Sequence, residues 1–263
     1  MIIDSHIHMG KFGCTSIVDM SPEVILQSME KYSIDYAIFS NIEGIEVSSE
    51  GELLKDETFR NQKDVNEVAI EFARRKKDKL GVLLWARPLL EGCDKSFEDL
   101  IVANLDVVKG IKIHPFHSQL EFDDPKMEPY LELCRKYSLP CLVHSAIEYS
   151  SPKIVYEVAK NHEDIVIVMG HMGLGTDNME AAQLIAKQPN LYGDTAWVSY
   201  EKVKELIKVC GADKILFGTD SPIDGVDTYG KELYQSYFEG DGIDNNDYKL
   251  LMCENAKKIF SIK

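Results

Sequence analysis

Paired cysteines are missing from this chain. The six that occur, Cys14, Cys93, Cys134, Cys141, Cys210 and Cys253, are scattered without a C-x-x-C pair. That spacing excludes a zinc knuckle or a dithiol redox motif and argues against a disulfide framework. Reduced thiols acting as small buried apolar groups are expected instead. Basic charge is also scarce. The formal net charge is −15 and the few arginines form no stripe, so phosphate backbones and anionic lipid are repelled and nucleic acid is not an expected partner. No window is apolar over the length needed to cross a bilayer. The first residues run straight into a strand-like segment instead of a basic start, an apolar stretch and a cleavage site, so a cytoplasmic protein with no membrane partner is expected. Repeats by sequence identity, low-complexity tracts and linkers are missing as well.

What remains is an ordinary globular composition, 44% apolar and 28% charged, with ample material for a core. Apolar runs of strand length alternate with segments of helical period, the pattern of βαβ units. The runs are residues 2–8, 36–41 (YAIFSN), 80–88, KGIKIHP at 109–115, PCLVHS at 140–145, IVMGHMG, LYGDTA at 191–196 and ILFGTD at 215–220. Between them lie helical segments, the first from about Pro22 to Tyr32 behind Ser21, which suits an N-cap followed by proline at the first helical position. Another, from 61 to 77, sets Val65, Val68 and Phe72 on one face. A final helix is expected over 247–262. Eight units in 263 residues allow about 33 residues each, the size of a βα element. The chain therefore reads as α/β, a single (β/α)8 TIM barrel domain over 1–263.

Residues able to bind a metal recur at the ends of these strands: His6 and His8, then Lys112, His144, His171 and Asp220. Chemistry in such barrels sits at the C-terminal ends of the strands. In strand 1 the alternation of faces puts Asp4, His6 and His8 on one side, so two imidazoles can converge on one ion. An H-x-H pair alone is a weak signal, because two hydrogen-bonded histidines at a strand end give the same pattern. The series ending in Asp220 is what strengthens it. His114 also faces the barrel mouth. His117 lies in the following loop, and His162 reads as a charge at a helix end.

On D-x-H-x-H at 4–8, G-I-K-I-H-P at 110–115, L-P-C-L-V-H at 139–144, G-H-M-G at 170–173, F-G-T-D-S-P at 217–222 and E-N-A-K-K-I-F at 254–260, the chain resembles the amidohydrolase superfamily. The likeness is to its amidohydrolase-related branch of decarboxylases and sugar-acid lactonases. The resemblance implies His6, His8, His144 and Asp220 as ligands of one divalent ion, with His171 a ligand or a catalytic partner beside it. It also implies two versions of the site. In binuclear relatives a carboxylated lysine at the position of Lys112 bridges two ions, whereas in this branch one ion is usual and the lysine pairs with Asp4 or a substrate oxygen. A homodimer is expected on the same ground.

Imidazoles with one carboxylate suit zinc, with manganese, iron or cobalt as alternatives. An ion with an open position acidifies water from a pKa of about 15.7 to about 7, and Asp220 is then the proton acceptor. These parts lead to a metal-dependent hydrolase of a small carboxylated amide or lactone. The alternative is a decarboxylase or hydratase of an unsaturated or aromatic acid. For the substrate carboxylate the candidates are Arg87 and, second, Arg60, although an ion pair with one of the many acidic residues explains Arg87 equally. Trp85, Phe116, Tyr149 and Trp197 are candidate pocket walls. The loop from Asn41 to Thr58 is long enough for an active-site lid or for a surface excursion.

Overall fold

The computed structural model describes residues 1–11, 18–48, 51–54 and 61–263; Cys14 and Arg60 lie outside the described residues. Eight parallel strands form one sheet in sequence order: β1 (Ile3–Met9), β2 (Tyr36–Asn41), β3 (Leu80–Trp85), β4 (Val108–Ile113), β5 (Cys141–Ala146), β6 (Ile167–Leu174), β7 (Leu191–Asp194) and β8 (Ile215–Leu216). The intervening helices are α1 (Pro22–Lys31), α2 (Gln62–Arg75), α3 (Lys95–Ala103), α4 (Pro115–Ser118), α5 (Glu128–Tyr137), α6 (Pro152–Asn161), α7 (Met179–Ile185) and α8 (Tyr200–Cys210). After β8 come α9 (Glu232–Glu239), α10 (Asn245–Lys249) and α11 (Asn255–Phe260), the last two joined by a π turn. The fold is a TIM barrel.

Closure between β8 and β1 is irregular. Past Leu216 the chain no longer makes a regular ladder, yet Ser5 N–H donates to Phe217 O, Asp220 N–H to His6 O and His8 N–H to Ser221 O, at 2.8–2.9 Å. Gly218 permits this approach, since a Cβ there would stand 3.0 Å from the His6 Cβ. Regular strand was expected through Asp220. The chain instead turns so that Asp220 has φ 60°.

Alternation divides the strands into two faces. Ile3, Ile38, Leu83, Leu142, Val168 and Leu216 fill the barrel floor, plugged from below by Ala256, Ile259 and Phe260 of the terminal helix. Their neighbours Phe39, Leu84, Ile111, Ile113, Val143 and Met169 pack against the surrounding helices. By the same alternation Lys112 and His144 point inward. In β1 the register shifts between Asp4 and Ile7, and this irregularity corrects the expected grouping of Asp4 with His6 and His8. Asp4 turns away from the barrel interior. Its carboxylate accepts from Thr219 Oγ1 at 2.5 Å and from the His6 N–H at 3.0 Å, and burial raises its pKa to about 7.

Local signals explain several boundaries. Ser21 accepts from the Val24 N–H with Pro22 next in line, as expected for α1, a cap that stabilises by about 1 kcal/mol. The third strand stops at Trp85, short of the expected Pro88, because side chains of α2 take its backbone groups. Trp85 N–H donates to Asn66 Oδ1, and Arg87 N–H to Gln62 Oε1. Pro115 was read as the end of a strand. It opens α4 instead, with His114 as the N-cap. None of the helices in the described residues is long and apolar enough to cross a membrane.

Candidate metal centre

Two histidines and one carboxylate meet at the closure between β1 and β8. His6, His8 and Asp220 are buried, and each presents one potential ligand atom within 4.8 Å of the others. Nε2 of His6 lies 3.1 Å and Nε2 of His8 3.2 Å from the same oxygen, Asp220 Oδ1. The opposite ring nitrogens are tied down. His6 Nδ1 is 2.8 Å from Asp194 Oδ2, and His8 Nδ1 is 3.1 Å from Ser40 Oγ. A carboxylate behind an imidazole fixes the proton on Nδ1 and turns the Nε2 lone pair toward the centre, the arrangement that orients metal-binding histidines. Gly170 leaves room for the His6 ring, whose Cε1 would be 3.3 Å from any added Cβ.

Asp194 is a functional residue that sequence reasoning did not single out. It ends β7 in the LYGDTA run, the same position from which the other candidates were recognised. Besides His6 it accepts N–H groups from His171 at 2.9 Å and Ala196 at 3.1 Å. Burial acts to raise its pKa, but His6, His171 and these hydrogen bonds prevail and hold it below the usual carboxylate value.

Asp220 is asymmetric. Oδ2 accepts from Trp197 Nε1–H at 2.7 Å, whereas Oδ1 is buried and has no hydrogen-bond donor. A buried acceptor without a partner costs about 1–3 kcal/mol, more when charged. Here two imidazole Nε2 atoms and one carboxylate oxygen converge, the Nε2 of His6 also lying 2.6 Å from Lys112 Nζ. A divalent cation satisfies all three at once, so the residues fit the group that the resemblance implied. His171 Nδ1 lies 3.3 Å from the Ala196 carbonyl and 3.9 Å from Asp220 Oδ2. Only an N–H can serve a carbonyl, so its Nε2 carries the lone pair. Burial lowers the His171 pKa to about 4, leaving the ring neutral at pH 7.

Lys112 is fully buried and its Nζ lies 2.6 Å from His6 Nε2. Burial lowers its pKa to about 8. Its contact is thus with an imidazole of the cluster, not with Asp4 as one sequence reading held. His144 stands beside the three-residue group and is not part of it. Its ring stacks on His114 at 4.0 Å and meets His171 edge-on at 4.6 Å.

Above the cluster opens a cavity of 350 Å3. One side carries His8, His171, Trp197 and Asp220; the other carries His114, His117, His144 and Phe116, with Ile42, Leu174 and Ile223 nearby. The His114 ring lies between those of His144 and Trp85. Its Nδ1 faces the His117 N–H at 3.4 Å, which leaves Nε2 as the donor. Burial, then the neighbouring His144 and His117, push its pKa well below the ordinary histidine value.

Three candidate pocket residues lie outside the cavity lining, and His162 stands at the helix end that the sequence suggested. Trp85 lies beneath the wall, buried to 1% and stacked on His114, and does not line the cavity. Tyr149 is also outside the lining, its ring 6.3 Å from Phe116. Arg87 is outside it too; Nη1 pairs with Glu91 at 2.5 Å, the ion-pair reading. His162 meets Glu128 and Arg135 far from the centre. The described part of the long loop after β2 first packs inward and then emerges, with Gly51, Glu52 and Leu53 exposed. Ile42, Ile45, Glu46 and Val47 are buried, and Glu46 accepts from Ser118 Oγ and the Leu90 N–H, tying this segment to the loops after β3 and β4.

A family model described as Amidohydrolase matches residues 3–262. The chain belongs to the amidohydrolase family. This amidohydrolase has the fold of several solved enzymes. One is 5-carboxyvanillate decarboxylase from Novosphingobium aromaticivorans, complexed with manganese and a nitrobenzoic acid: 14% identity, TM-score 0.71, covering 99% of this chain and 96% of that one. Another is 2,6-dihydroxybenzoate decarboxylase from Rhizobium, at 15% identity and TM-score 0.69, covering 99% and 98%. A candidate 2-pyrone-4,6-dicarboxylic acid hydrolase from Acinetobacter baumannii, with citric acid bound, shows 12% identity and TM-score 0.66, covering 99% of both chains. No curated protein matches. At these identities the likeness to solved structures concerns the fold, and the family membership makes the protein an enzyme.

Proposed function

We propose that this amidohydrolase is a hydrolase of a small planar amide or lactone, dependent on one divalent ion held by His6, His8 and Asp220, with His171 Nε2 and His144 at the edge of the site. The observation that carries the reading is Asp220 Oδ1, a buried carboxylate oxygen without a donor, facing two imidazole Nε2 atoms. A divalent ion at such a site supplies Lewis acidity and makes hydroxide available from water near neutral pH. Zinc suits these donors best, and manganese, as in the decarboxylase relative, is the next choice.

The chain's own residues supply the rest. Burial opposes ionisation of Asp220, but the imidazoles of His171, His6 and His8 outweigh it and hold the carboxyl well below its usual value. Asp220 is therefore ionised, and its position at the centre is what would let it take a proton from the attacking water and pass it to the leaving nitrogen or oxygen. His171 is neutral with its N–H on a carbonyl, which favours the ligand role over oxyanion donor. His114 Nε2–H is the donor available on the opposite wall, placed to orient a substrate carbonyl or carboxylate. Lys112 keeps a second cation next to His6, and the grouping of three ligand residues supports one ion in preference to a lysine-bridged pair. Arg87 is committed to Glu91, so the substrate carboxylate expected from the sequence would have to meet the ion or His114.

A second reading has its own support. The walls are flat rings, Trp197 and Phe116 with the stacked His114 and His144, and no arginine lines the cavity among the described residues. A planar aromatic acid fits such walls, with its carboxylate at the ion, and its loss as carbon dioxide would make the protein a decarboxylase. The test is elemental analysis of the purified protein, followed by a screen of lactones, cyclic amides and hydroxylated aromatic acids for ring opening or carbon dioxide release. One ion per chain with ring opening is expected. Metal-free protein with full turnover would overturn the reading.

A further inference from the structure

The indole of Trp197 is set in an unusual way. The residue is 43% exposed at the cavity mouth, yet its Nε1–H reaches inward to Asp220 Oδ2 at 2.7 Å. Its backbone sits in the left-handed region at φ 61°, as does Asp220 at φ 60°, conformations that non-glycine residues hold only where their surroundings impose them. The imposing group is Tyr234, 3% exposed, whose hydroxyl accepts the Trp197 N–H at 2.9 Å and donates to Thr219 O at 2.8 Å. The loop after β7 and the loop after β8 are thus cross-braced twice, once through Tyr234 and once through the indole.

We propose that Trp197 is a positioning residue for Asp220: by occupying Oδ2, the indole N–H leaves Oδ1 as the single carboxylate oxygen presented to His6 and His8. A carboxylate free to rotate would offer either oxygen, or both, and the three ligand atoms would not converge. Because the outer face of the same ring forms part of the cavity wall, a planar substrate resting on Trp197 is in contact with the group that orients the proton acceptor. This inference rests on the metal-site reading above, and its test separates the two.

The full chain is stripped with chelator, and Zn2+ affinity is measured by chelator competition for the wild type and Trp197→Phe, which keeps an aromatic ring and removes the N–H. Loss of a group that orients a ligand typically weakens metal binding by about 10–100-fold, and a loss of at least about tenfold with an unchanged melting temperature of the metal-free form is expected. Equal affinity in the two proteins overturns the proposal. A second arm needs neither metal nor a stable Phe variant. In the metal-free wild type the Trp197 indole N–H resonance should be slow to exchange, and Asp220→Asn should shift it more than that of Trp85. An indole signal that exchanges freely and ignores Asp220→Asn overturns the proposal. If the wild type takes up no Zn2+, the metal reading fails by itself, and the indole resonance still decides the role of Trp197.

Discussion

The two histidine-bearing walls of the cavity are built to opposite plans. On the β1–β8 side, each imidazole of His6 and His8 has Nδ1 held by Asp194 or Ser40 and aims Nε2 at the carboxylate of Asp220. On the β4–β5 side, His114, His117 and His144 lie against one another and Trp85 at 4.0–5.6 Å, and among the described residues no salt bridge joins His114 or His144 to a carboxylate. Both walls are rich in buried histidine. The difference is the carboxylates, which turn the Nε2 atoms of one set toward a common oxygen and leave the other set a ring-lined wall. A count of histidines would not separate the two.

The contrast is broken most severely at Asp220. Asp220→Asn should lower turnover by about 10^2–10^4-fold, the usual contribution of a positioned base, with loss of bound metal, measured by steady-state kinetics and elemental analysis on the same sample. A variant with near-normal turnover would remove the distinction between the walls. Next comes Asp194→Asn, which keeps the shape but weakens the hold on His6 Nδ1. Metal affinity should fall by about 10–100-fold, read by chelator competition.

Substitution on the opposite wall should leave metal content intact. His114→Phe preserves the stack between Trp85 and His144 and removes the Nε2–H donor, so KM should rise roughly fivefold, the worth of a hydrogen bond of about 1 kcal/mol, with one ion still bound. The same variant tests the electrostatics. The folded-state pKa of His114 lies well below its ordinary 6.5, so the unfolded chain binds more protons between the two values. Stability is complete above about pH 6.5 and is lost as pH falls toward the folded value. His114→Phe should therefore flatten the decline of melting temperature of the metal-free protein between about pH 7 and pH 5; an unchanged slope would mean that the wall histidines are not held neutral by the fold.

The smallest effect on function is expected at Arg87. With Nη1 on Glu91, Arg87→Met should destabilise the fold by about 2 kcal/mol in denaturant titration and leave the KM of acidic substrates within about twofold. A selective loss of affinity for acids would restore the carboxylate-binding role that its place after β3 suggested.

Much of the barrel was legible because its strands are short apolar runs. YAIFSN at 36–41 is β2 to the residue, and the inward placement of Lys112 and His144 follows from period-two alternation around Ile111, Ile113 and Val143. The misreadings have local causes. Asp4 left the expected face because a register shift, invisible in D-x-H-x-H, falls between it and Ile7. Pro115 looked like a strand end and starts α4, while Gly225–Gly230 and α9 were not foreseen in a stretch rich in glycine and acidic residues. Asp194 escaped notice because no metal-binding pattern marks a lone aspartate.

Periodicity and spacing by themselves determined a (β/α)8 barrel with candidate nitrogen and oxygen ligands at its C-terminal rim, since strand and helix periods are local properties of the chain. Which of those ligands meet was decided only by the tertiary structure. His6 and Asp220 are 214 positions apart, and their contact depends on how β8 closes against β1, where Gly218, the left-handed turn at Asp220 and the brace from Trp197 and Tyr234 set the distance and direction of a single carboxylate oxygen.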